Sequence, residues 1–291
     1  MSTERSSESI SEPVAISSLR KCRVIVKRDD DPRYELDRII AEEPLNILLK
    51  SLDSAHCQPW TMSMWTPGNG REFVLGLLFT EGLISQPSDV LSIDFVTPNE
   101  AEVTLVELPA LEQNRNDHRR SSACGVCGKE SFDALDLFGL KPVEAGNRFP
   151  DLDLNSLGSM LNNSESLFAQ TGGSHATALI SPYGECLTVM EDIGRHNAVD
   201  KVIGHGLAND ISFDHCAILL SSRIGYEIVH KAARAQVPMI LAMGAASSLA
   251  VEIAERLNIT LVGFLGKNRY NLYTHPERLL ETPPNPSPID P

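Results

Sequence analysis

Two cysteines near the middle of the chain are the residues best suited to chemistry. Residues 121–130 read Ser-Ser-Ala-Cys-Gly-Val-Cys-Gly-Lys-Glu, so Cys124 and Cys127 are three positions apart and each precedes a glycine. A cysteine reacts as its thiolate, and the arginine and lysine side chains around this segment favour that ionised form. Glycine leaves the two sulfurs little shielded and permits backbone conformations with positive φ. The pattern indicates a thiol that other molecules must reach.

A metal site and a redox pair are two interpretations of these cysteines. A structural zinc ion usually takes four Cys or His ligands from two closely spaced pairs. No second pair is formed by the other cysteines, which are Cys22, Cys57, Cys186 and Cys216. A thioredoxin-like pair normally follows a strand and opens a helix. Here the pair follows a polar linker, although a helix is predicted over residues 130–138. Zinc is thus weakly supported, and a redox pair stays open.

A sulfur carrier and an incidental pair are the remaining interpretations. In a carrier, one thiolate accepts sulfane sulfur as a persulfide and presents it to a second acceptor, which suits an exposed loop. The other cysteine could resolve the persulfide or position it. An incidental pair is least favoured, because both cysteines lie in a basic, polar, glycine-spaced segment. The residues therefore indicate thiol chemistry without separating a redox pair from a sulfur carrier.

Composition excludes several classes of protein. The chain has 291 residues, of which 42% are hydrophobic, so a sizeable core can form. No stretch approaches the ~20 apolar residues of a membrane-spanning helix, and the N-terminus lacks the pattern of a secretory signal. We therefore expect a cytoplasmic protein with reduced thiols. The net charge of −14 argues against nucleic-acid binding, although a small anionic ligand could occupy a locally basic pocket.

The residue pattern divides the chain into five segments. We predict a disordered N-terminal tail at 1–20, a small α+β domain at 21–108, a mobile loop with the cysteines at 109–128, an α/β domain at 129–275 and a proline-rich tail at 276–291. The tails and the loop bury too little apolar surface to offset the entropy lost on ordering.

Strands and helices are predicted in both domains. The small domain has predicted strands at 23–26, 45–49, 90–96 and 102–108 and a helix at 71–82. In the second domain, predicted strands at 176–180, 186–190, 217–220, 239–242 and 260–264 alternate with helices at 197–203, 226–235 and 249–257. Such alternation predicts βαβ units and a mainly parallel sheet.

Cationic and small residues follow the predicted strands of the second domain. Ligands of open α/β sheets bind beyond the carboxyl ends of the strands, and the cations found there are Arg195, His196, Arg223, Lys267 and Arg269. Helix N-termini at the same edge also favour anions. We predict a site for a phosphorylated or otherwise anionic ligand. Ordinary ion pairs explain any single arginine better than they explain the group.

Three further residues at this edge have two interpretations each. His175 follows two glycines and could orient a ligand or make a structural hydrogen bond. Asp192 and His196 flank the end of a predicted strand, where we expect a ligand-binding or helix-capping role rather than core packing.

Several longer segments, together with the cysteine loop, resemble the formate dehydrogenase accessory sulfurtransferase (FdhD-type) family. They are Glu-Pro-Leu at 43–45, Thr-Pro-Gly at 66–68, Phe-Thr-Glu-Gly-Leu-Ile at 79–84, Thr-Gly-Gly-Ser-His at 171–175, Glu-Asp-Ile-Gly-Arg-His-Asn-Ala-Val-Asp-Lys at 191–201 and Asn-Leu-Tyr-Thr at 271–274. Their number and order make the resemblance specific over residues 40–275.

The resemblance implies a sulfurtransferase. Members of this family take persulfide sulfur from a cysteine desulfurase and pass it to the molybdenum cofactor, a bis(molybdopterin guanine dinucleotide), before that cofactor enters formate dehydrogenase. By this resemblance Cys124 carries the persulfide and Cys127 assists it. The stretch that contacts the cofactor corresponds to Phe264, Leu265, Gly266, Lys267, Asn268 and Arg269, and we add Arg195, His196 and Arg223 to it from the strand-end argument.

The resemblance also implies a fold and an assembly. The expected fold is α/β, a cytidine-deaminase-like three-layer domain without the zinc, plus a smaller α+β domain. The protein is expected to be a homodimer with no metal of its own.

The chain departs from the family's pattern near the expected cofactor contacts. Gly266 stands where the family usually has an arginine, and the residues at 244–248 replace a Ser-Ala-Pro-Thr type of turn. Two alternatives to a sulfur carrier are retained. One is a chaperone that binds the cofactor and whose cysteines are incidental, and the other is a thiol–disulfide oxidoreductase.

Overall fold

The computed structural model describes residues 17–29, 31–52, 56–108, 140–144, 148–149, 152–161 and 166–281. Cys124, Cys127, the predicted loop at 109–128 and the helix predicted over 130–138 lie outside the described residues, as do 1–16 and 282–291 of the predicted tails. The described strands form three sheets, with two, four and six strands. None of the helices in these ranges is long and apolar enough to cross a membrane.

The two-stranded sheet is a long antiparallel hairpin. Strand β1 (Leu19–Arg28) pairs with β2 (Asp31–Ile40) along its whole length, with Leu19 opposite Ile40. Strand β1 is longer than predicted and begins inside the predicted N-terminal tail. Strand β2 was not predicted, because its side chains stay exposed and Leu36 keeps 75% of its surface accessible. Without burial, the alternation that marks a strand in a sequence is weak.

The four-stranded sheet and one helix form the smaller unit. Its strands are β3 (Glu43–Ser51), β4 (Gln58–Trp65), β5 (Val90–Thr97) and β6 (Glu100–Leu105), in the order β4-β3-β6-β5. Helix α1 (Gly70–Thr80) covers one face, where Leu45, Ile47, Val103 and Phe73 are buried. The predicted helix and three of these strands are confirmed, and β4 was missed.

The six-stranded sheet is mixed, so the prediction of a mainly parallel sheet is wrong. Its strands are β7 (His175–Ile180), β8 (Cys186–Asp192), β9 (Ala217–Leu220), β10 (Met239–Ala242), β11 (Thr260–Gly266) and β12 (Arg269–Leu272), in the order β12-β11-β10-β9-β7-β8. Within the described residues of this sheet, β9–β10 and β10–β11 pair in parallel and the other three pairings are antiparallel. Short turns join β7 to β8 and β11 to β12, and a short turn can connect only antiparallel neighbours.

Both faces of this sheet are covered. Helices α4 (Arg195–Ala208), α5 (Tyr226–Arg234) and α6 (Ser248–Arg256) bury one face. Helix α2 (Leu154–Leu157) and the described residues before it bury the other face. The short helix α3 (Leu167–Thr171) lies beside β2 of the two-stranded sheet. Ile218 and Leu219, neighbours in β9, belong to opposite cores, which explains why this strand is apolar throughout. The likeness to cytidine deaminase stays a prediction.

A close helix crossing joins the two units. Gly76 of α1 lies against the backbone of Asp200 in α4, and Gly204 of α4 lies against the backbone of Glu72 in α1. A Cβ atom at either glycine would collide with a carbonyl oxygen of the opposite helix. The missing side chains therefore allow the two helix backbones to touch.

We expect Gly204→Ala to lower the free energy of unfolding by about 1–3 kcal/mol, because the added methyl group must push the helices apart. Inside an exposed helix, a change from glycine to alanine instead raises the free energy of unfolding by about 0.5–1 kcal/mol. The sign of the measured change therefore shows whether the two helices touch at Gly204. Denaturant unfolding measures the difference. Gly225→Ala, at the N-cap of α5, is the control for an added methyl group that meets no heavy atom within 4 Å, and it should lose at most the smaller cost of alanine at an N-cap. If the Gly204→Ala protein is as stable as this control, α1 and α4 do not touch at Gly204.

Candidate functional site

The ends of four strands bring the candidate site together. Strand β8 is antiparallel to β7, which is antiparallel to β9, so β8 runs in the same direction as β9, β10 and β11. The segments that follow these four strands therefore lie along one edge of the sheet. Strand β7 runs the other way and begins at this edge with His175, which lies opposite Asp192 of β8.

An open pocket of about 230 Å³ lies at this edge. Its lining residues are His175, Arg195, Ser221, Ser222, Arg223 and Gly244. They provide two guanidinium groups, an imidazole and two hydroxyl groups, with no carboxylate. Within the described part of the chain neither guanidinium forms an ion pair with a carboxylate. Ordinary ion pairing therefore does not account for Arg195 and Arg223 there, and the pocket is cationic.

Backbone contacts fix the pocket walls. The Ser221 N–H donates to the carbonyl of Ala176 at 2.9 Å, and the Ser221 hydroxyl accepts from the Ala176 N–H at 2.9 Å. The Gly244 N–H donates to the Ser222 carbonyl at 3.2 Å. Strand ends β7, β9 and β10 are thus held side by side. Ser221, Ser222 and Gly244 were noticed in the sequence as part of the edge but were not chosen as site residues.

His175 is the one lining residue that titrates near neutral pH. Partial burial lowers its pKa, and the positive charges of Arg195, Arg223 and His196 lower it further, while Asp192 acts in the opposite direction. The cations outweigh the single carboxylate. The lowered pKa favours the neutral imidazole of His175 at pH 7.

His196 does not line the pocket, although it follows Arg195. Its Nε2 lies 2.7 Å from a carboxylate oxygen of Glu227, in the first turn of α5. This contact is the main reason why the pKa of Glu227 is lowered, and Arg195 and Lys231 add to the effect. His196 thus links the start of α4 to the start of α5. Glu227 was missed in the sequence, because it reads there only as an acidic residue in the first turn of a helix.

The stretch predicted to contact the cofactor divides into three parts. Phe264 borders the pocket, since its N–H donates to the carbonyl of Gly244 at 2.9 Å, and its ring is 43% exposed. Leu265 is buried in the core. Gly266 and Arg269 pair at the end of the β11–β12 hairpin, and the exposed Lys267 and Asn268 form its turn. None of these six residues lines the pocket itself.

Phe264 has an unusual backbone conformation. Its φ is +52°, and it lies where the register of β11 against β12 shifts between Gly263 and Gly266. Such a conformation costs a non-glycine residue about 1–2 kcal/mol. Strain of this kind is concentrated at functional sites, and here it accompanies an exposed aromatic ring beside a cationic pocket.

A buried ion pair holds the loop before α4. One oxygen of Asp192 accepts from the Gly194 N–H at 2.9 Å and from the Asn197 side chain at 3.0 Å. The other accepts from the Thr66 N–H at 3.0 Å and lies 2.8 Å from the Lys201 ammonium. Asp192 is fully buried. Asp192 therefore holds the loop before α4 as a buried structural residue, which is neither of the roles expected for it, and it does not line the pocket.

Lys201 completes this network from the opposite side. Its ammonium donates to the carbonyl of Thr66 at 2.8 Å and to the carbonyl of Glu191 at 3.0 Å. Burial lowers the pKa of Lys201, and the Asp192 charge opposes that shift. The Thr-Pro-Gly segment at 66–68 and the long segment at 191–201 thus meet in space. The contact between the two segments fixes the position of Arg195, because Arg195 lies between Asp192 and Lys201 in the sequence.

A second buried ion pair involves Asp200, the residue that precedes Lys201 in α4. The Lys231 ammonium of α5 is 2.8 and 2.9 Å from the two oxygens of Asp200, and one of these oxygens accepts from the Thr80 hydroxyl at 2.7 Å. Glu81 lies 3.6 Å from the same ammonium. The segment at 79–84 therefore connects α1 to α4 and α5 and does not approach the pocket.

Metal-binding geometry is absent from the part of the chain that the structure describes. No group of three or more His, Cys, Asp or Glu side chains is arranged there to hold a metal ion.

Comparison with known proteins gives consistent matches. A model of the FdhD/NarQ family matches residues 40–280. The chain is 38% identical to the sulfur carrier protein FdhD of Sulfurisphaera tokodaii, over 90% of this chain and 99% of that protein. It is 36% identical to the protein of the same name from Streptomyces coelicolor, over 88% of this chain and 94% of that protein. Among solved structures, a protein of Desulfotalea psychrophila assigned as a formate dehydrogenase accessory protein matches with a TM-score of 0.71 and 25% identity, over 91% of this chain and all of that one.

The buried ion pair predicts a large cost for Lys201→Met. Removing the ammonium leaves the Asp192 carboxylate buried without a counter-charge, which costs about 3–5 kcal/mol of unfolding free energy. Lys50→Met is the matched control. Lys50 forms a partly exposed ion pair with Glu102 at 2.8 Å, and such pairs contribute at most about 1 kcal/mol. Denaturant unfolding of both variants checks the prediction, which fails if the two lose similar stability.

Proposed function

Because the chain belongs to the FdhD/NarQ family and similar proteins are named sulfur carriers, we propose that it carries persulfide sulfur on Cys124. The sulfur comes from a cysteine desulfurase and goes to the molybdenum cofactor, a bis(molybdopterin guanine dinucleotide), which is the substrate. A client formate dehydrogenase agrees with the assignment of the solved Desulfotalea psychrophila protein. A cytoplasmic homodimer is part of the same proposal.

The first step is a sulfur transfer between two cysteines. The Cys124 thiolate attacks the outer sulfur of the desulfurase persulfide, and a new S–S bond forms as the donor's own S–S bond breaks. The donor leaves as a thiolate, and Cys124 holds the persulfide, so atoms and electrons balance. The cationic residues around Cys124 in the sequence favour the thiolate that this attack requires.

Cys127 has a defined role in releasing the sulfur. Its thiolate attacks the inner sulfur of the Cys124 persulfide, which forms a Cys124–Cys127 disulfide and expels hydrosulfide. The two electrons that the sulfane sulfur needs come from the two cysteine sulfurs. A cellular dithiol then reduces the disulfide and restores the carrier. Hydrosulfide is the form in which a metal centre takes up a sulfur ligand.

The pocket supports an anionic substrate, and this observation carries the cofactor part of the proposal. Guanidinium groups and hydroxyls are suited to phosphate oxygens, and the lining has no carboxylate to repel them. A volume of about 230 Å³ is below the roughly 300–1,000 Å³ of pockets that enclose a whole ligand. The pocket therefore suits the pyrophosphate of the dinucleotide. The exposed ring of Phe264 beside it offers a surface on which guanine can stack.

The sulfur carrier predicts a mass change at one cysteine. After incubation with a cysteine desulfurase and cysteine, intact-protein mass spectrometry should show one added sulfur that is lost on reduction. Cys124→Ala should abolish the addition, and Cys127→Ala should retain it because the persulfide can no longer be resolved. Cys186→Ala, which removes an exposed cysteine outside the loop, is the matched control and should behave as wild type. A Cys127→Ala protein that gains no sulfur but still binds the substrate would favour the cofactor chaperone instead, because in this variant the persulfide cannot be lost by resolution.

The cationic pocket predicts nucleotide binding that depends on Arg223. The probe is diguanosine diphosphate, in which a pyrophosphate joins two guanosines. A charge-assisted hydrogen bond contributes about 1.5–3 kcal/mol, so we expect Arg223→Gln to weaken binding at least ~10-fold in calorimetry. Arg256→Gln is the control, because Arg256 pairs with Glu252 on the exposed side of α6. Equal affinity of the two variants for the probe would show that the pyrophosphate does not bind in this pocket.

A further inference from the structure

The pocket contains two permanent cations and one that can switch. Arg195 and Arg223 keep their charge at every physiological pH, whereas the imidazole of His175 gains or loses a proton near neutrality. All three side chains line the same 230 Å³ space. The charge of the pocket therefore depends on the state of His175.

Every charged group that acts on His175 comes from a neighbouring element. Arg195 and His196 lie at the start of α4, Arg223 follows β9, and Asp192 lies opposite His175 on β8. Asp192 is already neutralised, because it pairs with Lys201 and accepts from three further groups. His196 is paired with Glu227. Glu191, next to Asp192 on β8, accepts from the N–H groups of Leu167 and Phe168 and from the Ser174 hydroxyl. Among the described residues, Asp192 is the carboxylate that acts to raise the pKa of His175, and the cations outweigh it.

A bound anion reverses this balance. In the empty pocket, two guanidinium groups oppose a third positive charge. A pyrophosphate among the same three side chains neutralises the guanidinium groups and attracts a proton to the imidazole, because opposite charges within a few ångströms favour the charged form.

We propose that His175 takes up a proton together with the anionic group of the ligand, so that the pocket holds the phosphates with three cations. This inference rests on the proposed function, since it assigns a role to His175 in binding the same substrate. The proton comes from solvent and returns to solvent when the ligand leaves. No bond other than N–H is made or broken.

The coupling has a defined sign. Between the pKa of His175 in the empty pocket and its higher pKa in the complex, each bound ligand brings up to one proton. Affinity in this range should rise roughly tenfold for each unit by which the pH falls. Above and below this range, affinity should not change with pH through His175, and it should be higher on the low-pH side, where the imidazole is charged.

Calorimetry with diguanosine diphosphate tests the proposal. Each of its phosphates carries a single ionised oxygen, so the charge of the probe is constant between pH 5 and 8, and any proton uptake belongs to the protein. Titrations in two buffers with different ionisation enthalpies give the number of protons bound per ligand. We expect uptake of up to about one proton in wild type and none in His175→Gln, which keeps a hydrogen-bonding side chain but cannot become charged.

His215→Gln is the matched control. His215 is exposed, pairs with Asp214 and precedes β9, at the opposite end of the strands from the pocket. This variant should retain the wild-type uptake. NMR titration of the His175 ring in the wild-type protein, with and without the probe, should show its pKa rise on binding and requires no variant.

The outcomes separate this inference from the proposed function. Binding without proton uptake overturns the role of His175 and leaves the anion pocket intact. Uptake that persists in His175→Gln assigns the proton to another group and also overturns it. Failure of the probe to bind overturns both this inference and the cofactor part of the proposal, while the persulfide on Cys124 is tested separately by mass.

Discussion

The two buried ion pairs of α4 are the constraint on which the rest of the structure depends. Placing a charge in a protein interior costs several kcal/mol unless a partner neutralises it. Asp192 and Lys201 satisfy each other through the Thr66 segment of the smaller unit, and Asp200 is satisfied by Lys231 of α5. Any sliding of α4 would leave a charge unpaired. Helix α4 is therefore locked in position, and so is Arg195 at its first turn.

The same pairing explains how a chain with a net charge of −14 presents a cationic pocket. The segment at 191–201 contains both acidic and basic side chains, and the fold places some of them in the interior and others at the pocket. The carboxylates of Asp192 and Asp200 are buried, where ammonium groups neutralise them, and Arg195 lines the pocket. Attraction for an anion is consequently local, because the net charge of the whole chain has the opposite sign. The charged residues of this segment are thus divided between holding the fold and lining the pocket.

The sequence was informative where local pattern decides structure and silent where tertiary contact decides it. The predicted strand at 186–190 and the apolar runs of β9 and β10 predicted the edge at which Arg195 and Arg223 meet, even though β7 and β12 make the sheet mixed. The glycines at 76 and 204 gave no signal, since each is needed only because the other helix passes there. Glu227 and the lowered pKa of His175 were equally hidden, because both follow from charges that are distant in sequence.

The turn between β11 and β12 shows how a departure from the family's pattern can be offset by geometry. Gly266 lies where the sequence resemblance leads us to expect an arginine in the family's pattern, and its partner across the turn is Arg269. Paired residues of antiparallel strands project to the same face. The Arg269 guanidinium lies 5.8 Å from the centre of the Phe264 ring. A cation therefore stands beside Phe264 although position 266 supplies none, and the exposed aromatic ring keeps a positively charged neighbour next to the pocket.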